Sequence, residues 1–530
     1  MKLKNLKIGV ITLVAPFLLL PAFQAEAQYL QDVIKVAQAD YGSTARFKAM
    51  GNAQTSLGGD LTSIGGNPAG LGFFNQSDIS ISLDFLSDHN DATYFGNNNL
   101  NSLNKLGLNQ AALVFHTPSR RGRGCNLTTG WLNFNFGIGY QKTNNFNSSL
   151  GYSGINNSST FSHFLSDQAD AGLIEGDFGW ESFMIDFNGS NPNNTYHYPA
   201  VLEQDNAQKN VLRDKGVQST TNFAFGANYS NKLYLGASVG FTSFNYSTQQ
   251  VFQEDGYTKS YDDIYRENPS SDFLDSSHDA FQFLEAEYAT EYNYSQSTKG
   301  NGINATFGII YKPVPNVNIG LSATTPTWNM VTDESSMFLD TWYYDNPQAT
   351  DPFFTYNSEE IKDYIEYTIR TPYRISGGVS TVFGMGLISL DLEYIDYSSM
   401  HFSASDQLGI ALKQELDAEM NDGIKSTYTS AVNFRAGGEY FFTENVLGRL
   451  GYAHRGSPYN DTELTTETVS GGLGYRMNNM YLDLTYQHNN QSYMSSPYHI
   501  DTGFWEGYST PQAEVKHTRH QVYMTVGFKF

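Results

Sequence analysis

The chain closes on an alternation. Val522, Met524, Val526, Phe528 and Phe530 fall on one side of the last segment, and Tyr523, Thr525, Gly527 and Lys529 on the other. A period of two belongs to a β-strand, whose successive side chains point to opposite faces. The same pattern recurs along the body of the chain. Leu132, Phe134, Phe136, Ile138 and Tyr140 oppose Asn133, Asn135, Gly137, Gly139 and Gln141. Val432, Phe434, Ala436 and Tyr440 oppose Asn433, Arg435, Gly437 and Glu439, and Met480, Leu482, Leu484 and Tyr486 oppose Tyr481, Asp483, Thr485 and Gln487. One face is aliphatic or aromatic; the other carries amides, glycine and charge. In a soluble sandwich the apolar face would be core. In a transmembrane barrel it faces lipid and the polar face lines the lumen. Periodicity alone leaves both open. Composition narrows the field. Charged residues make up 16% of the chain, against about 25% in ordinary soluble proteins. Aromatics reach 15%, which excludes a disordered chain. No apolar run in the body approaches the ~20 residues of a membrane helix, so a helical membrane bundle is excluded. The net charge of -23 disfavours a nucleic-acid partner. Cys125 is the single cysteine, so no intrachain disulfide forms, and no cysteine or histidine pair has metal-ligand spacing; neither metal nor cofactor is expected.

The ends of the chain decide between sandwich and barrel. Lys2, Lys4 and Lys7, then Ile8 to Leu20, then Ala25-Glu26-Ala27 read as an export signal over residues 1–27. An alternating last strand that ends on an aromatic residue resembles the recognition signal of bacterial outer-membrane barrels. The expected location is therefore the bacterial outer membrane, with its lipid and the barrel assembly machinery as partners and a monomer as the expected form. Fifteen strand-like segments can be read between residues 78 and 530. Bacterial single-chain barrels have even numbers of strands. Joining 284–297 to 300–313 as one strand, irregular at Gly300 and Gly302, gives fourteen. The expected fold is all-β: a 14-stranded antiparallel transmembrane barrel. Tight turns fall at Tyr229-Ser230-Asn231-Lys232, Lys312–Pro315, Phe383–Gly386, Phe442–Asn445 and Met477–Asn479. Long outer connections are expected at 88–108, 143–216, 250–283, 341–361, 399–427, 456–463 and 491–515. A loop helix is expected over 404–424, with Gly423 as its cap.

Residues 28–76 do not alternate. They mix small and turn-forming residues with short apolar pieces, the composition of a compact plug. Ala45-Arg46, Met50-Gly51-Asn52-Ala53, Asp60 and above all Asn67-Pro68-Ala69 resemble the N-terminal hatch of the FadL family of outer-membrane channels for long-chain fatty acids and aromatic hydrocarbons. The segment KGNGINATFGIIYKPVPNVNIGLS at 299–322 is similar to a mid-barrel strand-turn-strand of that family. The resemblance implies three parts: signal 1–27, hatch 28–76 lodged in the lumen, and barrel 77–530. It also implies passive uptake of a fatty acid-like hydrophobic molecule, through capture in the outer loops, transfer to a lumen pocket and release after a hatch shift.

A channel needs a path rather than a nucleophile, and no catalytic residue is expected. Asn67, Pro68 and Ala69 are candidates to border the ligand pocket. Arg374, Arg435, Arg449 and Arg476 fall on the lumen face and could meet a carboxylate, or else pair with lumen acids such as Asp391, Glu393 and Glu439. Phe281 and Phe283, with Phe353 and Phe354, are candidates for a ligand groove on the outer loops, or for packing of those loops on themselves. Gly236-Ala237-Ser238-Val239-Gly240 matches the nucleophile-elbow pattern, but it lies within an alternating strand, where no elbow can form. The rival readings are a barrel lipase or protease with its site at the outer rim, and a secreted carbohydrate-active enzyme.

Overall fold

The structure, a computed structural model, describes residues 22–120, 128–187, 196–345, 349–460, 464–501, 505 and 507–530. Residues 1–21, most of the segment expected to be an export signal, lie outside the described residues.

Fourteen antiparallel strands close into a barrel. In chain order they are β1 (Asp78–Tyr94), β2 (Asn97–Pro118), β3 (Trp131–Asn145, continued by Ser148–Asn156), β4 (Asn206–Tyr229) and β5 (Leu233–Tyr257). Next come β6 (Glu287–Val314), β7 (Val317–Thr324, continued by Trp328–Tyr344), β8 (Ile361–Arg370, continued by Arg374–Phe383) and β9 (Gly386–Asp396). The last five are β10 (Ser430–Phe441), β11 (Val446–Arg455), β12 (Thr466–Met477), β13 (Met480–Ser495) and β14 (Ala513–Lys529). Closure is direct: β1 pairs with β14 from Asp78↔Lys529 to Thr93↔Glu514. Ser77 and Phe530 exchange two backbone hydrogen bonds beyond that ladder, so the terminal aromatic is part of the seam. A sheet in lipid cannot leave an edge unpaired, because no water is there to satisfy it.

The alternation decides which face meets lipid. Met480, Leu482, Leu484 and Tyr486 are exposed on the outside, whereas Asp483, Thr485 and Gln487 are buried inside. Phe136 and Ile138 are likewise outside, with Asn133, Asn135 and Gln141 inside. A charge on that outer belt is costly. Leu482→Arg is expected to lower unfolding free energy by about 2–4 kcal/mol, while Ser492→Arg, on the same face of β13 but beyond the belt, costs at most about 1 kcal/mol. Urea titration of the folded, heat-modifiable band checks this.

Several sequence expectations are corrected. β6 runs unbroken through Gly300 and Gly302 with no register shift against β5. The breaks fall instead in β7 at Thr325–Thr327 and in β8 at Thr371–Tyr373, around Pro326 and Pro372, which have no N–H to give the ladder. Residues 88–108 are no loop: β1 and β2 continue as a hairpin closed at Phe95 and Gly96, both with positive φ. A membrane crossing takes about 9–11 strand residues. β4, β5 and β6 have 24, 25 and 28 residues, so much of each stands clear of the membrane and takes over parts of the expected outer connections. The loop helix, Ile410–Thr427, starts later than expected, after Gly409, and passes through Gly423 without stopping.

Candidate functional site

Along β5 the lumen divides into three levels. Gly236, near the turn end, abuts the N-terminal segment at Pro68. Phe244 and Tyr246, further on, belong to an apolar cluster inside the barrel. Phe252, further still, belongs to a second apolar cluster formed with the outer loops.

The lowest level is a plug wedged into a girdle of glycines. Asn67 caps a short 3-10 helix, Pro68–Phe73, with its Oδ1 accepting from the Ala69 N–H at 3.1 Å. Its Nδ2 donates to Thr55 O at 2.6 Å, and Ala69 packs on Tyr234 and Ile310 of the wall. Gly226, Gly236, Gly308 and Gly320 line the facing strands, cross-strand neighbours or nearly so. A Cβ at Gly236 would strike the Pro68 carbonyl, at Gly308 the Asn67 side chain, and at Gly320 the Thr55 carbonyl. On the opposite wall a Cβ at Gly437 would meet Met50, and at Gly451 the backbone of Gly51. Polar wall groups complete the seat. Asp391 Oδ2 accepts from both the Gln54 and Thr55 N–H groups at 2.7 Å, and Gln487 donates to Lys48 O at 2.8 Å.

The lumen arginines are engaged. Arg435 donates to Glu393 at 2.7 Å. Arg449 is fully buried between Glu439, at 2.6 Å, and Asp483, at 2.7 Å. Arg46 of the plug forks onto Glu439 and Arg476 onto Asp483, which extends the chain of charges. Arg374 grips the N-terminal segment, donating to Ala37 O at 2.7 Å and Ala39 O at 2.6 Å. Single-strand periodicity placed these side chains on the lumen face. Their partners lie on other strands and in the plug, where periodicity cannot reach.

The middle level was not foreseen. Helix α1 (Ala22–Ala37) enters the lumen above the plug and buries Val33, Ile34, Val36 and Ala37. Wall residues Phe244, Tyr246, Val331, Tyr367, Ile369 and Ile395 surround them. The Ile410–Thr427 helix closes over α1 with Leu416, Met420 and Ile424, three residues at i, i+4, i+8 on one stripe. The Tyr428 hydroxyl donates to Leu30 O at 2.8 Å. Beside this packed core, around the joint between α1 and the plug, lies a polar cavity of about 190 Å³. Asp40, Lys48, Lys142, Arg435, Arg455 and Arg519 line it, with a ring of asparagines and glutamines. Asn67, Pro68 and Ala69 do not line it.

The top level is a cap with its own core. The helices Phe161–Asp170 and Ile174–Glu181 and the loops around 258–286 and 349–353 bury Phe164, Phe178, Met184, Phe273, Phe283 and Ile500 together. Phe283 is enclosed by Phe183, Tyr343, Phe353 and Phe354, with ring centroids 4.3 to 5.8 Å away. Phe281 is exposed by 38% and stands outside that core. Burial pushes the Glu175 carboxyl up to about 7 and holds the His163 imidazole down to about 3, so His163 is neutral in the closed cap. Ser238 lies mid-strand on the lumen side of β5, with no elbow around it.

A closed barrel with an apolar exterior, a seated plug and an apolar interior level defines a plugged transmembrane barrel fold. No protein-family model matches the chain, and no curated protein matches it in sequence. Solved structures do match in fold. The toluene transporter TodX of P. putida superposes with a TM-score of 0.52 at 13% identity, over 93% of this chain and 99% of that one. A FadL homologue of Pseudomonas aeruginosa gives 0.52 at 12% identity, over 92% and 98%. The chain therefore has the fourteen-stranded, internally plugged fold of FadL-type outer-membrane barrels.

Proposed function

We propose that this chain is an outer-membrane channel for hydrophobic small molecules, long-chain fatty acids or similarly apolar compounds, and not an enzyme. The observation that supports this reading most is the apolar level inside the barrel. Barrel lumens are ordinarily polar, yet here Phe244, Val331, Tyr367, Ile369 and Ile395 face inward and are covered by α1. A wall of this kind needs an apolar occupant, and α1 fills that role. The folds of the toluene transporter and the FadL homologue agree with the reading. On it, residues 1–27 are the export signal, 28–76 the internal segment and 77–530 the barrel.

The moving part on this reading is α1 rather than the plug. The plug meets backbone on nearly every side through the glycine girdle, so sliding it requires the wall to deform. α1 is held by side-chain packing, by Arg374 and by Tyr428. An apolar ligand that competes for the same wall shifts α1 between two states through its different affinity for them. A second reading, passage of polar solutes, is favoured by the basic, amide-lined cavity beside α1.

Deleting residues 28–37 tests the first reading. The occupied state of the chamber lowers apparent affinity by the fraction of molecules in which it is open. Removing α1 is expected to tighten binding of a fluorescent long-chain fatty acid to the detergent-folded barrel by about tenfold for each 1.4 kcal/mol that α1 contributes to closure. Unchanged binding by a correctly folded deletion would show that the chamber is structural core.

A further inference from the structure

Three histidines share one outward patch where the first and last strands meet. His89 lies on β1, His520 on β14 and His488 on β13. His488 and His520 are direct cross-strand partners, and Ser87, two residues before His89, is the partner of His520 on the other side. The patch is the first polar row beyond the apolar belt, immediately after Tyr486 and Val522. It is separate from the lumen: His517, three residues earlier on β14, turns inward to Asp88 at 2.7 Å.

The geometry of the pair is specific. His488 Nδ1 and His520 Nδ1 lie 3.4 Å apart, with ring centroids at 4.9 Å. Two imidazole nitrogens on one tetrahedral zinc ion, each at about 2.0–2.1 Å, stand roughly 3.4 Å apart. The Tyr486 hydroxyl is 2.6 Å from His520 Nδ1, so a third polar atom already sits at the opening. His89 is next in line, its ring 5.6 Å from that of His520 and its Nε2 on Ser87 Oγ at 3.1 Å. Among the described residues no group of three His, Cys, Asp or Glu is already gathered as a metal site. The candidate site therefore offers two histidine nitrogens as its protein ligands.

We propose that His488 and His520 bind a divalent transition-metal ion of the zinc or copper class on the outer face of the barrel, beside its closing seam. Imidazole suits these ions, and copper binds more tightly than zinc at such sites. On binding, a ring that carries its proton on Nδ1 moves it to Nε2, the Tyr486 hydroxyl releases His520 Nδ1, and both Nδ1 lone pairs turn to the metal. A bound ion cross-links β13 to β14, one strand from the seam, and leaves the lumen untouched.

Titration calorimetry of the folded, full-length protein in detergent with Zn²⁺ and Cu²⁺ tests this. One site is expected, with Cu²⁺ the tighter. His488→Ala and His520→Ala should each weaken it at least tenfold, whereas His499→Ala, on the exposed outer loop, should not change it. All three side chains are partly or fully exposed, so the variants keep the fold, which heat modifiability verifies. No binding by the wild-type protein, or binding that survives in the double variant, overturns the proposal.

Discussion

Valine at Gly236 or Gly308 is expected to leave the protein without a seated plug. The new Cβ at Gly236 would enter the Pro68 carbonyl group, and at Gly308 the Asn67 amide. Neither neighbour can step aside. Pro68 is fixed in φ and begins the short helix, and Asn67 is tied to Thr55 O and the Ala69 N–H. Overpacking of an ordinary core costs about 1–3 kcal/mol. At Gly236 the new Cβ meets backbone, so the loss lies at or above the upper end; at Gly308 it meets the hydrogen-bonded Asn67 side chain, and the loss lies within that range. Two outcomes are expected from heat-modifiability and limited proteolysis. Either the folded band disappears, or it persists with residues 40–74 open to protease and with raised bilayer conductance. Gly377→Val is the control: nothing lies within 4 Å of its Cβ, and it should behave as wild type. Lumen-facing wall positions beneath the plug are constrained in the same way. Asn133, on the lumen face, donates to Phe74 O of the plug at 3.3 Å.

Arg449→Met should be the second large effect. Arg449 bridges Glu439 and Asp483 with no solvent exposure of its side chain. Removing one partner of a buried ion pair typically costs about 3–5 kcal/mol, because the opposite charge is left uncompensated. Arg46 still holds Glu439 and Arg476 still holds Asp483, which places the expected loss toward the lower end of that range. Arg449→Lys should recover only part of it, since an ammonium cannot span two carboxylates with a planar fork. The unfolding midpoint in urea reads both variants. Equal stability of Arg449→Met and wild type would mean that the network contributes nothing to holding the wall.

What could be read from sequence follows from where contrast exists. Within the bilayer the outer face must be apolar, so Leu482 against Asp483, or Phe136 against Asn135, announces both strand and register. Beyond the bilayer that contrast vanishes. The Asn97–Asn109 stretch reads NNNLNSLNKLGLN and looks like a loop, although it is the outer half of a strand. The glycine girdle was hidden for a related reason. Gly236, Gly308 and Gly437 sit in the polar phase of the alternation and read as neutral lumen positions; their purpose appears only when the plug is packed against them. α1 was not foreseen because its apolar stripe is satisfied by wall residues on β5, β7, β8 and β9, far away in sequence. The outer phenylalanines were visible as a cluster, but whether they pack on each other or on a ligand depends on the loops that surround them. Phe283, Phe353 and Phe354 are packed together.

The chamber occupied by α1 is apolar and the cavity beside it is polar, so solute selectivity is the decisive property. The direct measurement is transport into vesicles reconstituted with the full-length protein, using a labelled long-chain fatty acid and a labelled small sugar side by side. Entry of the fatty acid, faster after deletion of residues 28–37, with exclusion of the sugar by the intact protein, is the predicted result. Entry of the sugar without the fatty acid would contradict a hydrophobic channel and assign the polar cavity as the path.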